Sequence, residues 1–321
     1  MPSLKEIKGR IASVNNTRKI TSAMKMVASS KLHHAQVMIE NMLPYEEMIE
    51  RILKTFIASE VDARNVFTES RPVKRVALVV FSSNCSLCGG FNTNIIKQML
   101  SAIDDYSHLG KENIIIYPIG RKVSEKVTKL GFKPAGDFTD LADKPNASKC
   151  IEIARELGTM FRNGEVDKVE LIYHHFKSAG SQIMTRKTFL PIDITSELKR
   201  DHERDLKTNI VTRQAQEYLR QRGTEVTETD ISSKPLNDNY IVEPDLRTVL
   251  GRLIPKYAHL IIYTALLDSN ASEHAARMVA MQTATDNADE LLRELNLQYN
   301  KSRQQAITNE LLDIVGGSVN N

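Results

Sequence analysis

The chain has 321 residues, of which 26% are charged and only 6% aromatic, and its formal net charge is +3. So small a net charge gives no general reason to expect a nucleic-acid partner, and the scarcity of aromatic side chains favours an elongated, helix-rich structure. Three cysteines are too few for a disulfide scaffold and indicate a reducing compartment. The longest apolar runs fall short of the ~18 residues that a membrane-spanning helix needs.

The N-terminal residues 3–58 are predicted to form one helix, because apolar residues recur in a heptad frame that begins at Leu4 and reaches Phe56. Such a repeat is typical of a coiled-coil seam. Pro44 is expected to kink this helix or divide it into two segments. The frame is interrupted by polar or charged residues at Arg18, Thr21, Lys25 and Glu46.

The same helix is strongly basic at its start. The first 34 residues carry seven Lys or Arg side chains against Glu6 alone. This excess fits either a solvated helix face or a surface that meets acidic partners. An acid-poor N-terminus also occurs in mitochondrial transit peptides, but here the stretch continues into the long helix, so we interpret it as mature structure.

The C-terminal part of the chain predicts a second long helix. Thirteen of the seventeen heptad core positions between Leu250 and Ala306 are apolar. Pro255 implies a bend near its start. His274 is interpreted as a seam or surface residue rather than a metal ligand. The four polar core positions are Thr264, His274, Thr285 and Ser302.

Each seam needs a partner helix. The simplest solution pairs the two ends of the chain in an antiparallel, left-handed coiled coil. It is favoured because the termini of an intervening domain often lie close together. The alternative is a parallel homodimer formed through each helix separately.

The middle of the chain predicts an α/β domain, because apolar, β-branched runs alternate with helical patterns. Three runs are typical of buried parallel strands, and residues 182–190 indicate a further strand, for which an antiparallel edge is one arrangement. The strand segments are 75–83, 113–119 and 168–176, and the helical segments between them are 92–106, 121–130 and 148–162.

The α/β domain carries no phosphate-binding signature. The turn after its first strand, residues 84–91, matches neither the dinucleotide fingerprint nor the P-loop, so Gly89 and Gly90 are predicted to serve a tight turn. Cys85 and Cys88 form a C-x-x-C pair for which a redox role is conceivable. We find no triad, no paired carboxylates and no metal motif, and therefore predict no catalytic residue, no metal and no cofactor.

Residues 195–238 form a charged insertion with few apolar anchors. It is expected to lie at the surface, part helix and part loop, or to be mobile. It holds no cysteine, which argues against thiol regulation through it.

Three segments carry a family resemblance. The opening IKGRIASVNNTRKITSAMKMVASSKL (7–32), the turn LCGGFN (87–92) and the closing SEHAARMVAMQTATDNADELLRELNLQYNKSRQQAITNELLDIVGG (272–317) resemble the gamma subunits of F-type ATP synthases. Two long motifs at opposite ends, in the right order, make the match specific. The chain departs from the family at Asn84, Cys85 and Ser86, where an Asp and a basic residue are usual, and at Gly317, where Ala is usual.

The resemblance implies a non-catalytic rotor subunit of the F1 sector. The two end helices would form an asymmetric shaft inside a ring of three alpha and three beta subunits. The α/β domain would lie against the epsilon subunit and the membrane c-ring, with one copy of the chain per complex and no nucleic acid. The implied location is the cytoplasmic side of a bacterial inner membrane, as a peripheral protein.

The resemblance also implies contact residues. Met24 and Lys25 would lie near the acidic lever segment of the beta subunit. The upper contact with the alpha and beta subunits would use Arg303, Gln304, Thr308 and Glu310. From the sequence alone, Arg303 and Glu310 could equally be ordinary exposed helix charges.

The predicted fold class is therefore α/β, with a long antiparallel two-helix coiled coil formed by both chain ends plus a central Rossmann-like domain. The predicted boundaries are 1–70, 71–244 and 245–321. A nucleotide-dependent enzyme and a coiled-coil scaffold or nucleic-acid binder remain the competing classes. Tight nucleotide binding by the isolated chain would favour the first, and salt-sensitive duplex binding the second.

Overall fold

A computed structural model describes residues 3–59, 66–192 and 242–318. The chain divides into two compact units, one of Met1–Ser29 with Arg277–Asn321 and the other of Ser30–Ala276. The predicted insertion at 195–238 lies outside the described residues. The predicted boundaries at 70 and 244 stay a prediction.

Two long helices open and close the described chain, α1 at Leu4–Ser59 and α6 at Leu246–Ser318. The bounds of α1 agree with the predicted 3–58 to within one residue at each end, whereas α6 extends beyond the predicted 250–306 at both ends. Of the two outcomes predicted for Pro44, a kink or a division of α1, the division is wrong, because the helix runs through that residue. Proline removes one backbone hydrogen bond, and burial of Ile39 and Ile49 on either side keeps the helix continuous.

The second unit contains a four-stranded sheet of order β2-β1-β3-β4. The first three strands are parallel, and β4 pairs antiparallel with β3 at the edge, as the sequence predicts. The predicted mixed α/β class is confirmed, with ends that differ by a few residues. The strands are β1 at Val76–Phe81, β2 at Ile114–Ile119, β3 at Lys168–Ser178 and β4 at Ser181–Leu190.

The connecting helices also follow the prediction, with one addition. The short α4 was not expected from the sequence. The helices are α2 at Phe91–Asp105, α3 at Arg121–Lys129, α4 at Thr139–Asp143 and α5 at Ala147–Arg162.

The sheet has a separate apolar core on each face. On one face, Val76, Leu78 and Val80 pack against α2 and α3. On the other, the alternate residues of β1 pack against α5 and against segments of α1 and α6 that belong to this unit. The long helices are therefore part of the domain core, which a division into separate helical and α/β domains does not anticipate.

A buried charge network crosses β3 and β4. Glu170 accepts hydrogen bonds from Arg186 Nε at 2.7 Å, Lys168 Nζ at 2.9 Å and the Tyr106 hydroxyl at 2.8 Å. Burial opposes ionisation of Glu170, but the bonds from Arg186, Lys168 and Tyr106 outweigh it and lower its pKa. The carboxylate therefore stays charged and holds two cations at the edge of the sheet.

Gly120 is predicted to be irreplaceable at the end of β2. Its φ is +97°, and a Cβ there would lie 2.2 Å from the Ser82 carbonyl oxygen. Gly120→Ala should therefore lower the free energy of unfolding by at least about 2 kcal/mol, as read from urea unfolding. The matched control is Gly251→Ala, an exposed helix position with open space around it, which should stabilise the chain by about 1 kcal/mol. Equal effects of the two changes would contradict this account.

His174 is predicted to make stability depend on pH. Its ring is stacked on Phe91 with 4.5 Å between centroids, and burial lowers its pKa from 6.5 to about 4. The unfolded chain binds the proton more readily, so the free energy of unfolding should fall by about 3 kcal/mol as the pH drops from 6.5 to 4.

His174→Leu should remove this component of the pH dependence, as measured by urea unfolding at a series of pH values. His108→Gln replaces an exposed imidazole of the same unit and should leave the pH dependence as in the wild type. An unchanged slope between pH 5 and 6.5 in His174→Leu would show that the buried ring is not responsible.

Candidate functional site

The first unit consists of the paired ends of α1 and α6. The heptad positions of both helices turn inward: Ile7, Thr21 and Ala28 of α1 are buried, as are Met278, Met281, Ala288 and Leu295 of α6. The remaining frame positions of this unit are partly buried, apart from Ala306, which is exposed. A seven-residue repeat thus predicts the buried stripe of each helix almost to its end.

Polar side chains of the seam pair with one another across the two helices. Arg18 Nη1 lies 3.1 Å from Asp289 Oδ1, and the hydroxyl oxygens of Thr21 and Thr285 lie 2.8 Å apart. Residue numbers rise along α1 as their partners' numbers fall along α6, so the two helices are antiparallel here. The Arg18–Asp289 pair is half exposed, so its contribution is at most about 1 kcal/mol.

The predicted contact residues lie on the outer surface of this unit. The Met24 side chain is 41% exposed, and Lys25 is partly buried at a seam position. Arg303, Gln304, Thr308 and Glu310 are all exposed. Among the described residues, Arg303 and Glu310 form no ion pair. The group near the C-terminal end of α6 and the pair Met24 and Lys25 are also not joined by any hydrogen bond between described residues.

The Thr308 hydroxyl is already used within its own helix. It donates to the Gln304 carbonyl oxygen at 2.9 Å. Its oxygen can still accept a hydrogen bond, so a partner would have to offer a donor at this position.

The sequence analysis missed an exposed apolar row beside the seam. Ile20, Met24 and Val27 follow one another at helical spacing, and Ile20 and Val27 are 58% and 57% exposed. Met26 is exposed on another side of the same helix, and Ile307, Leu311 and Leu312 are exposed near the other helix end. The signal was present in the sequence, because these apolar residues stand outside the heptad frame.

Among the described residues, the cavity at the carboxyl ends of the strands is far too small for a nucleotide. In doubly wound folds ligands bind in a crevice at this edge. Here a cavity of about 10 Å³ is lined by Phe81 and Ile119 at the strand ends and by Leu266, Ser269 and Asn270 of α6. Such a volume holds about one water molecule.

Polar contacts fix α6 at this edge. Asn270 Nδ2 donates to the Ala142 carbonyl oxygen at 2.8 Å, and Ser272 Oγ donates to that of His174 at 3.2 Å. His175 Nδ1 lies 2.7 Å from Asp268 Oδ2. The helix therefore fills the crevice and is hydrogen-bonded into it.

The turn after β1 is organised by its own side chains. Gly89 has a φ of +57°, which supports the predicted role of the glycines in a tight turn. Asn92 Oδ1 accepts the Ser83 backbone N–H at 3.1 Å. Within the described residues no group of three His, Cys, Asp or Glu side chains could hold a metal, and no helix is long and apolar enough to cross a membrane.

Comparison with known proteins gives a consistent result. A family model described as ATP synthase matches residues 3–319. The ATP synthase gamma chain of Phocaeicola vulgatus is 54% identical over 319 residues, covering 99% of this chain and all of that protein.

Two solved structures of Euglena gracilis mitochondrial ATP synthase share the fold. The rotor in rotational state 1 has a TM-score of 0.55 at 16% identity, covering 95% of this chain and 98% of that one. The assembly of OSCP, F1 and c-ring in rotational state 3 has a TM-score of 0.57 at 17% identity, covering 98% and 93%. At 16% and 17% identity the similarity shows a shared fold and nothing more specific.

The structure defines a class of protein in which the crevice at the strand ends of an α/β domain is filled by the chain's own helix, and in which the paired ends of two long helices expose an apolar and charged surface. Within that class, the chain belongs to the ATP synthase gamma chain family. Its role is that of the rotor subunit of the central stalk in F1, which couples rotation to the catalytic sites and is not itself catalytic. The resemblance seen in the sequence is confirmed.

Thr21 and Thr285 are predicted to be coupled across the seam. Replacing one of them by Val leaves the other hydroxyl facing a methyl group, whereas replacing both restores a matched apolar pair. Thermal unfolding of the four chains of this double-mutant cycle should give a coupling of about 1 kcal/mol. Thr17→Val and Thr283→Val, at exposed positions off the seam, should show none. Additive effects at Thr21 and Thr285 would contradict the pairing.

Proposed function

We propose that the two helix ends form a left-handed antiparallel coiled coil that turns inside a ring of three alpha and three beta subunits. The antiparallel contacts of Thr21 and Arg18 support the pairing, and the 3.5-residue period of the buried stripe supports the handedness. One copy of the chain would serve each ring, because a single rod can fill one axis.

The observation that carries this proposal is the uncovered surface of the paired ends. Exposed apolar residues at successive turns of a helix are unusual on a free surface and mark interaction sites. The row of Ile20, Met24 and Val27 would face the beta subunits together with Lys25. Single exposed apolar side chains are common on protein surfaces, but three at helical spacing beside the coiled-coil seam indicate a contact surface.

The second contact would lie near the other helix end. Arg303 and Glu310 carry charges without an intramolecular partner among the described residues, and Gln304 and Thr308 add directed hydrogen-bonding groups between them. Planar guanidinium and amide groups form well-oriented bonds across an interface. Ile307 and Leu311 would enter an apolar sleeve of the ring.

The mechanism follows from asymmetry. One rod presents different faces to three equivalent beta subunits, so at each angle it stabilises a different conformation in each of them. Rotation then moves each site through the sequence of affinities. The shaft acts as an allosteric effector, and the chemistry stays on the beta subunits.

Through its α/β domain the rotor would engage the epsilon subunit and the c-ring. The structures with similar folds are described as a rotor and as an assembly with a c-ring, which supports these partners. The named relative comes from a bacterium. We therefore place the chain at the cytoplasmic face of a bacterial inner membrane as a peripheral subunit.

Stoichiometry is tested by co-expressing the chain with alpha and beta subunits of the same organism and recording a native mass spectrum. The expected species contains one copy of this chain on a six-membered ring. A homodimer of this chain, with no ring-bound species under conditions in which the ring assembles, would overturn the proposal.

The contact residues are tested by Arg303→Ala and Glu310→Ala in that complex. Each removes a charge-assisted hydrogen bond worth about 1.5–3 kcal/mol, so the ATPase rate of the complex should fall about tenfold. Thermal unfolding of the isolated chain should not change, because both side chains are exposed. The matched controls Lys301→Ala and Glu294→Ala remove exposed charges of the same helix and should leave the rate unchanged. Equal losses in contacts and controls would refute the assignment.

A further inference from the structure

The turn between β1 and α2 carries two cysteines that the rotor surface does not use. Cys85 is exposed, whereas Cys88, three residues later, is only 1% exposed. Both thiols are free. A C-x-x-C pair at a strand-to-helix turn is a known arrangement for reversible disulfide chemistry.

The fold of the turn brings the two residues together. Leu87, between them, has a φ of +66°, which bends the chain back on itself. The Cys88 sulfur lies 3.8 Å from the Cys85 carbonyl oxygen. Since a carbonyl oxygen is about 2.4 Å from its own Cα, the Cys88 sulfur is within about 6 Å of the Cys85 Cα. The backbone of one cysteine and the sulfur of the other are thus within the range that a disulfide spans.

The surroundings hold the Cys88 sulfur in place. The Asn92 amide donates to it at 3.1 Å, and the same side chain is fixed by the Ser83 backbone N–H. The Ser83 hydroxyl donates to the Cys85 carbonyl at 2.6 Å. One thiol is therefore positioned by the protein, and the other is open to solvent.

We propose that Cys85 and Cys88 form a redox pair that closes to an intrachain disulfide when it meets a small-molecule disulfide. The Cys85 thiolate attacks the reagent, a mixed disulfide forms, and one molecule of thiol leaves. The Cys88 thiolate then attacks the Cys85 sulfur and releases the second molecule. The two cysteine protons pass to the two departing thiolates, and the reagent takes up the two electrons.

The roles are unequal because access is unequal. Cys85 is the attacking residue, since the reagent can reach it from solvent. Cys88 resolves the mixed disulfide, because its sulfur already lies against the Cys85 backbone. Bridge formation withdraws that sulfur from the Asn92 amide, which keeps its bond to Ser83 Oγ at 2.8 Å.

Cys150 provides an internal comparison. It is fully buried in the other core of the domain, and burial raises its pKa to about 12. A thiol in that state is a poor nucleophile and out of reach of the reagent. It should remain reduced throughout.

The test exposes the full native chain to oxidised glutathione, followed by alkylation of free thiols in denaturant, trypsin digestion and mass spectrometry. Cys85 and Cys88 fall in a single peptide, residues 76–97, and Cys150 falls in another. In the wild type and in Cys150→Ser, the first peptide should lose both alkylation sites and become about 2 Da lighter than its reduced form. Dithiothreitol should restore both sites.

Single variants separate the two roles. Cys88→Ser should accumulate a glutathione adduct on Cys85, because no resolving thiol remains. Cys85→Ser should leave Cys88 alkylatable and without an adduct. Circular dichroism before oxidation confirms that each variant is folded. A stable glutathione adduct on Cys85 of the wild type, or two cysteines that stay reduced in excess oxidant, would overturn the proposal.

Discussion

The structure depends on one constraint, which is that a stretch of α6 is buried on all sides although it is rich in polar residues. Every residue from Ala265 to Ala275 is buried, including Asp268, Asn270 and Ser272. Buried polar groups need partners, and the carboxyl edge of the sheet supplies them through His175, the Ala142 carbonyl and the His174 carbonyl. The α/β domain is thus built around the helix that it carries.

This arrangement explains why a fold used elsewhere for nucleotide binding serves a different purpose here. The crevice at the strand ends is occupied by the chain's own helix, so function moves away from the sheet. We propose that it lies instead at the paired ends of α1 and α6, where side chains such as Ile20 and Arg303 are exposed. On that proposal α6 is a core element in one unit and an interaction surface in the other.

The sequence predicts what depends on local periodicity. The heptad frames identify the buried stripes of both helices, and alternating β-branched runs locate all four described strands within a few residues. The all-round burial of Ala265–Ala275 was missed because a frame shows only the stripe that faces a partner helix. A kink and a division at Pro44 were both left open by the sequence, because local pattern does not show that tertiary packing outweighs one lost hydrogen bond. The residues of the candidate site were predicted from the family resemblance. Their exposure could be read only from the structure, because it depends on how the two helices pack.

The polar contacts of α6 also have a mechanical consequence. Apolar packing resists separation, but its energy changes gradually when one surface slides over another. A hydrogen bond weakens steeply once its angle departs from linearity. Asp268 and Ser272 lie on one side of the helix and Asn270 on the opposite side, so twisting the helix about its axis would strain all three bonds together. The joint between helix and sheet is therefore torsionally stiff, which is the property that a part transmitting torque requires.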